Sequence, residues 1–233
     1  MIELLAPAKL TVSLRITGVR EDGYHLLDAE MVSLDLADAL TLSDGDGLEV
    51  IGADAPADDS NLVQQALSLV HRRAHVRLDK RIPPGAGLGG GSSDAAAGLR
   101  WAGINDPVLA ARLGADVPFC LRGGRARVRG VGEILAPLPF ESRAYTLVLP
   151  PFGCSTVAVY RKWDELGGPT GPGDNDLEHA ALAVEPRLTE WRDRLGDAAG
   201  RTPQLAGSGS TWFVEGEFPG EDRVVVRTTE GFG

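Results

Sequence analysis

Cysteine is scarce: Cys120 and Cys154 are the only two in 233 residues, and they form no C-x-x-C pair. That scarcity argues against a disulfide framework or a structural zinc site and points to a reducing, cytoplasmic setting. Long apolar runs are missing too. Nothing approaches the ~20 residues that span a bilayer, and Glu3 stands near the start with no basic stretch before it, so neither a secretory leader nor a membrane span is expected. Basic residues are also in deficit, 23 Lys and Arg against 33 Asp and Glu, for a formal charge of −10. Binding to a nucleic-acid polymer or an acidic membrane needs a basic face, so a small-molecule substrate is the expected partner, and any phosphate is gripped locally.

Glycine, by contrast, is abundant, at 30 residues, and 43% of the chain is hydrophobic, enough for one large domain or two small ones. Strand and helix signals alternate. "AKLTVSLRIT" puts Leu10, Val12, Leu14 and Ile16 on one face and Lys9, Thr11, Ser13 and Arg15 on the other, which predicts a half-buried strand. Ser60 is the expected cap of a helix with Leu62, Val63, Ala66, Leu69 and Val70 on one face. Val76, Leu78 and Ile82 predict a second strand. Asp106 and Pro107 open a short helix ending at Gly114, and paired strands are expected around Gly123 and Gly124. "TLVLP" is a further strand, followed by helical signals at 155–166, 176–183 and 187–195 and a flexible loop at 167–176. Arg125, Arg127 and Arg129 alternate as a solvated strand face does; His71 and His75 have metal-like spacing but no third ligand nearby.

The densest glycine run, "PPGAGLGGGSSDAAAG", lies between a predicted strand and residues that favour helix. At such a turn bare backbone and the unpaired amides of a helix N-terminus converge on an anion. The run lacks the Gly-Lys-Ser/Thr ending of a Walker loop. Gly85, Gly87 and Gly90 satisfy G-x-G-x-x-G, but Pro83 and Pro84 interrupt the strand that a dinucleotide fold would require. "AGSGSTWFVEG" forms a second glycine cluster.

Six stretches, in order, resemble the GHMP small-molecule kinases: "PAKLTVSLRITGVREDGYH", "KRIPPGAGLGGGSSDAA", "LGADVPFCLRG", "GVGEIL", "GDNDLE" and "GSGSTWFVE". The resemblance covers most of the chain and implies a two-domain α+β fold. Residues 1–143 would carry a left-handed βαβ unit and the phosphate loop 84–94, residues 144–233 a smaller α+β domain, and the cleft between them the active site. ATP and Mg2+ are the implied cofactors. The "DGYH" stretch suggests an acceptor that is a cytidine diphosphate-linked methylerythritol of the non-mevalonate isoprenoid pathway, phosphorylated on its tertiary 2-hydroxyl.

Residue by residue, the resemblance makes Lys9 and Asp116 catalytic, Asp116 accepting the hydroxyl proton and Lys9 orienting it and offsetting charge. It places Pro84, Gly85, Gly87, Leu88, Gly89, Gly90, Gly91, Ser92 and Ser93 on ATP, with Ser92 beside the metal. Tyr24, His25 and Tyr160 would frame the cytosine. Thr11, Gly207, Ser208 and Gly209 would meet the rest of the acceptor. Thr11 stands where the family usually has Asn, and segments 61–80 and 94–114 are shorter than is typical of it. Read alone, Lys9 is a solvated strand lysine, Asp116 a turn carboxylate, Tyr160 a helix-face core residue and Ser92 and Ser93 helix caps. A GHMP kinase for another small alcohol, and a nucleotide-binding relative without turnover, are the alternatives.

Overall fold

The computed structural model describes residues 1–52, 55–170 and 173–232. Two long antiparallel strands, β1 (Ile2–Val19) and β2 (His25–Ser43), are joined by a turn in which the Gly23 amide donates to the Arg20 carbonyl at 2.9 Å. β3 (Gly47–Ile51), helix α1 (Leu62–Leu69) and β4 (His75–Asp79) form a βαβ unit whose two strands pair in parallel. The phosphate-loop run then leads into α2 (Gly90–Trp101), followed by α3 (Pro107–Ala111) and α4 (Val117–Arg122). β5 (Arg125–Gly130) and β6 (Ile134–Pro137) complete a six-stranded sheet in which β2 pairs with β1, β4 and β5.

A second sheet begins with β7 (Ala144–Val148). Helices α5 (Thr156–Glu165), α6 (Glu178–Val184) and α7 (Leu188–Ala199) precede β8 (Gln204–Leu205), β9 (Trp212–Glu215) and β10 (Val224–Arg227), and the four strands lie in the order β10-β7-β9-β8. The three helices match the helical signals of the sequence; within the flexible-loop expectation, Gly171 and Pro172 lie outside the described residues.

The core explains where the sequence misleads. β1 is not half-buried at its centre: Leu10 and Leu14 are buried as expected, but so are Lys9 and Thr11, at 5% and 2% exposure, because their face of the strand lines a cleft instead of open solvent. Asn61, not Ser60, caps α1; its side-chain oxygen accepts from the Val63 amide at 2.9 Å, whereas the Ser60 hydroxyl donates to Asp58. The buried residues of α1 are Val63, Ala66 and Leu67, so its inward face is rotated from Leu69 and Val70. α4 carries no amphipathic signature, since Val117 through Leu121 are all buried and the helix has no polar face to give it a period. Gly123 and Gly124 therefore link α4 to β5 and bridge to Gly231, while the β5–β6 turn falls at Val131–Glu133. Of the β5 arginines, Arg127 and Arg129 are exposed as expected and pair with Asp28, whereas Arg125 is only 14% exposed, enclosed by Glu30 and Glu141.

That β5–β6 turn supports the residue before Asp116. Gly132 has a φ of +116°, and a Cβ there would stand 2.2 Å from the Ala115 carbonyl oxygen. Backbone cannot yield as a flexible side chain can. Gly132→Ala should therefore lower stability by about 1–3 kcal/mol in a urea titration. The cap assignment has its own test: Asn61→Ala should cost about 1 kcal/mol and Ser60→Ala less than about 0.5 kcal/mol by the same measurement, with the reverse order restoring Ser60 as the cap.

Candidate active site

Between the six-stranded sheet with its glycine loop and, on the other side, α5 and the turn at 207–208 lies a cleft of ≈ 490 Å³. One wall is the glycine loop and the start of α2. Because the Ser93 amide is the one that donates to the Gly89 carbonyl, at 2.9 Å, the amides of Gly90, Gly91 and Ser92 precede the helical ladder and are free to meet an anion. The loop needs glycine for a reason beyond the ligand. A Cβ on Gly87, whose φ is +78°, would stand 2.4 Å from the Ala206 carbonyl oxygen and 2.7 Å from that of Gly209. The second glycine cluster thus supports the first from behind. A backbone bond joins them, the Thr211 amide donating to the Ala86 carbonyl at 3.2 Å, and the segment before α5 adds another, from the Cys154 amide to the Gly85 carbonyl at 3.1 Å.

At the floor, Lys9 and Asp116 meet. Lys9 Nζ lies 3.4 Å from Asp116 Oδ2 and donates to Thr11 Oγ1 at 3.1 Å. The lysine comes from the middle of β1, where it is held by its own strand and by a hydrogen bond that its main-chain amide donates to the Leu88 carbonyl of the loop, at 2.9 Å. Asp116 comes from the N-terminal boundary of α4 and caps no amide with its side chain, which is 33% exposed. Its carboxylate is left for Lys9 and for whatever occupies the cleft. Residue 89 belongs to the same arrangement, for a Cβ there would meet the Lys9 Cγ at 2.7 Å. The bareness of Gly89 makes room for the lysine stem.

The cleft collects Lys9, Thr11, Pro84, Gly85, Gly87, Leu88, Gly89, Gly90, Gly91, Ser92, Asp116, Tyr160, Gly207 and Ser208 of the residues singled out by sequence. Four are placed elsewhere. Ser93 is buried and its hydroxyl donates to the Pro7 carbonyl at 2.7 Å, so its side chain ties α2 to β1. Gly209 lies behind Gly87. Tyr24 is 61% exposed, its ring under the Arg20 guanidinium. His25 stands beside the cleft: its ring centroid is 4.8 Å from that of Tyr160 and 5.4 Å from that of Trp163, and its Nε2 shares a 2.8 Å hydrogen bond with Asp164. Burial pushes the Tyr160 phenol well above its ordinary range and keeps it neutral.

Sequence reasoning missed Lys80 and Asp94, which line the loop side of the cleft, and Asp38, with which Lys80 pairs. It also missed Asn61 and Leu62 at the α1 end of the cleft, and the structural part played by the segment at 174–176. There, Asn175 donates to the Leu205 and Gly207 carbonyls at 2.9 and 2.7 Å, and the neighbouring backbone bonds Leu14, so β1 is fastened to the second glycine cluster. The "GDNDLE" stretch contributes to the resemblance only; of its polar residues Asn175 and Asp176 are buried while Asp174 stays exposed, a distinction that local sequence does not show.

The chain is similar to known proteins along most of its length. Residues 61–124 match the model of the GHMP kinases N terminal domain. A 4-diphosphocytidyl-2-C-methyl-D-erythritol kinase of Paracoccus denitrificans (strain Pd 1222) is 40% identical over 231 residues, covering 89% of this chain and 84% of that protein. One from Ruegeria pomeroyi is 37% identical over 253 residues, 94% of this chain and 90% of that one. A crystal structure of 4-(cytidine 5'-diphospho)-2C-methyl-D-erythritol kinase superposes with a TM-score of 0.78 at 34% identity over the whole of both chains. A mevalonate kinase structure at 12% identity, TM-score 0.59, shares the fold alone. At 34–40% identity over most or all of the chain and of these relatives, the chain belongs to the 4-diphosphocytidyl-2-C-methyl-D-erythritol kinases of the GHMP kinase family.

Proposed function

We propose that this chain transfers the γ-phosphoryl group of ATP to the tertiary 2-hydroxyl of 4-diphosphocytidyl-2-C-methyl-D-erythritol, a step of the non-mevalonate isoprenoid pathway. The observation that carries the reading is the meeting of Lys9 and Asp116, distant in sequence, at 3.4 Å beside a loop whose amides face the same cleft. A tertiary alcohol is a weak, crowded nucleophile. Asp116 accepts its proton as the oxygen attacks phosphorus and the bond to ADP breaks; Lys9, steadied by Thr11, holds the carboxylate and offsets the charge that builds on the transferred group. Thr11 thus serves as a hydrogen-bonding partner at the position where the family usually carries Asn.

Loop amides at 90–92 would cradle the polyphosphate. Magnesium fits the donor set as an ion held mostly by phosphate and water: Ser92 offers one hydroxyl oxygen in the cleft, and among the described residues no group of three or more His, Cys, Asp or Glu forms a protein cage. When bound, it would neutralise charge on the phosphates. His25 and Tyr160 would take the cytosine, while Gly207 and Ser208, the latter bonded to Thr156 at 3.0 Å, would face the acceptor's phosphates. The division into domains at 143/144 is supported by the gap between β6, ending at Pro137, and β7, starting at Ala144. Its scarce thiols support a cytoplasmic setting, and among the described residues no helix is long and apolar enough to cross a membrane.

Two experiments test this reading. Asp116→Asn should lower turnover by about 10²–10⁴-fold in single-turnover assays with saturating magnesium-ATP and acceptor, with ATP affinity retained. Lys9→Met should also slow it, and the double variant should lose far less than the product of the two, as groups acting together do. Near-parental turnover by Asp116→Asn would overturn the assignment of the proton acceptor. For the base, Tyr160→Ala and His25→Ala should weaken the acceptor by about 1–3 kcal/mol in calorimetry while sparing ATP. Tyr24→Ala should weaken it less, its ring being directed to solvent.

A further inference from the structure

The loop's neck is closed by three charged side chains with no part in the chemistry described above. Asp38, near the end of β2, is fully buried. Its Oδ1 accepts from the amides of Arg81 and Ile82, at 2.6 and 2.8 Å, on the last residues before Pro83 opens the loop. Its Oδ2 pairs with the Lys80 ammonium, which is 6% exposed. The same ammonium reaches across to Asp94 Oδ2 at 2.7 Å, in the second turn of α2 where the loop has ended. Lys80 and Asp94 both border the cleft, and a Cβ on Gly90 would lie 3.0 Å from Lys80 Nζ. A chain segment that leaves β4 and returns as α2 is therefore tied at both ends to one nitrogen.

Buried ion clusters add little stability over apolar packing of equal volume, so their use is more often to fix a geometry. Here each bond falls on the loop's two ends. The charges also fail to balance, two carboxylates on one ammonium, and Asp94 Oδ1 has no hydrogen-bond partner among the described residues. Burial, with Asp38 close by, pushes Asp94 up to about 7, which is the response of a carboxyl confined for its position.

We propose that Asp38, Lys80 and Asp94 are positioning residues that set the separation of the loop's two ends, and so hold the 85–91 amides in register for a nucleoside triphosphate. The inference rests on the reading of that loop as the ATP site. It explains how a phosphate loop without its own lysine keeps its shape: the cation is supplied from ten residues earlier in the chain than Gly90 and grips the frame in place of the ligand.

Asp94→Ala cuts the link to α2 and leaves Lys80 paired with Asp38, so it is the variant that should fold. Hydrogen exchange of the Ser93, Cys154 and Thr211 amides, which donate to the loop carbonyls of Gly89, Gly85 and Ala86, should accelerate by about tenfold while β1 and β2 amides away from the loop keep the parent rate. The ATP Kd by calorimetry should rise about tenfold or more and the acceptor Kd change by less than about twofold, and Asp94→Asn, which can still accept from Lys80, should recover most of the loss. If Asp94→Ala does not fold, Lys80→Met combined with Asp94→Asn, which leaves Asp38 on its two amides, is measured the same way. Parent-like exchange of those three amides in a folded variant, or losses spread equally over β1, β2 and the acceptor, would overturn the proposal. Exchange needs no nucleotide, so failure of the parent to bind ATP would overturn the kinase reading while the clamp is still decided.

Discussion

The close approach of two glycine-rich backbones holds this molecule together at its working point. The loop at 85–89 and the turn at 206–209 pass so near each other that a single Cβ at Gly87 would overlap two carbonyl oxygens. Main-chain hydrogen bonds from Cys154 and Thr211 fasten the contact. Because one backbone belongs to the larger sheet's connections and the other to the smaller sheet, this contact fixes how the sheets face each other, and the cleft is the space left beside it.

That arrangement gives Lys9 its surroundings. An ammonium on a strand's polar face would ordinarily reach water; here the loop covers it, its stem fills the space left by Gly89, and its charge is met by Asp116 and Thr11. A buried cation must be paired and hydrogen-bonded, so the same packing that forms the cleft places a carboxylate next to it. Asp116 in turn depends on its neighbours: α4 is buried on every side, and Gly132 lets Ala115 sit against the β5–β6 turn. Fold and site are one packing problem at this position.

A second cation, Lys80, lies on the other side of the loop and does a different job. Lys9 has a partly exposed partner and room for a ligand; Lys80 is enclosed by two buried carboxylates and is committed to them. On the proposed reading, the division between a cation for chemistry and a cation for shape follows from burial of the partner. It is also why no lysine is needed within the glycine run itself.

Much of this was legible in the amino-acid order. The alternation of β1, the three helices after β7, the Asp106–Pro107 helix start and the anion-ready turn before α2 are local features, fixed by side-chain period, capping chemistry and the conformational freedom of glycine. The resemblance also singled out Lys9 and Asp116, which the fold brings within 3.4 Å of each other. What local chemistry could not decide was which polar residues are enclosed. Lys9, Thr11, Asp38, Lys80 and Asp94 sit at positions that read as solvated until a second layer covers them, and α4 shows no period because it has no exposed face. Ser93 and Gly209 belong by sequence to phosphate-binding clusters, yet one hydroxyl is spent on Pro7 and the other residue is turned behind the loop. The sequence by itself determined the elements and the chemical groups available; the packing of the smaller sheet against the glycine loop decided which of them meet, since burial and proximity between distant segments exist only once both are folded.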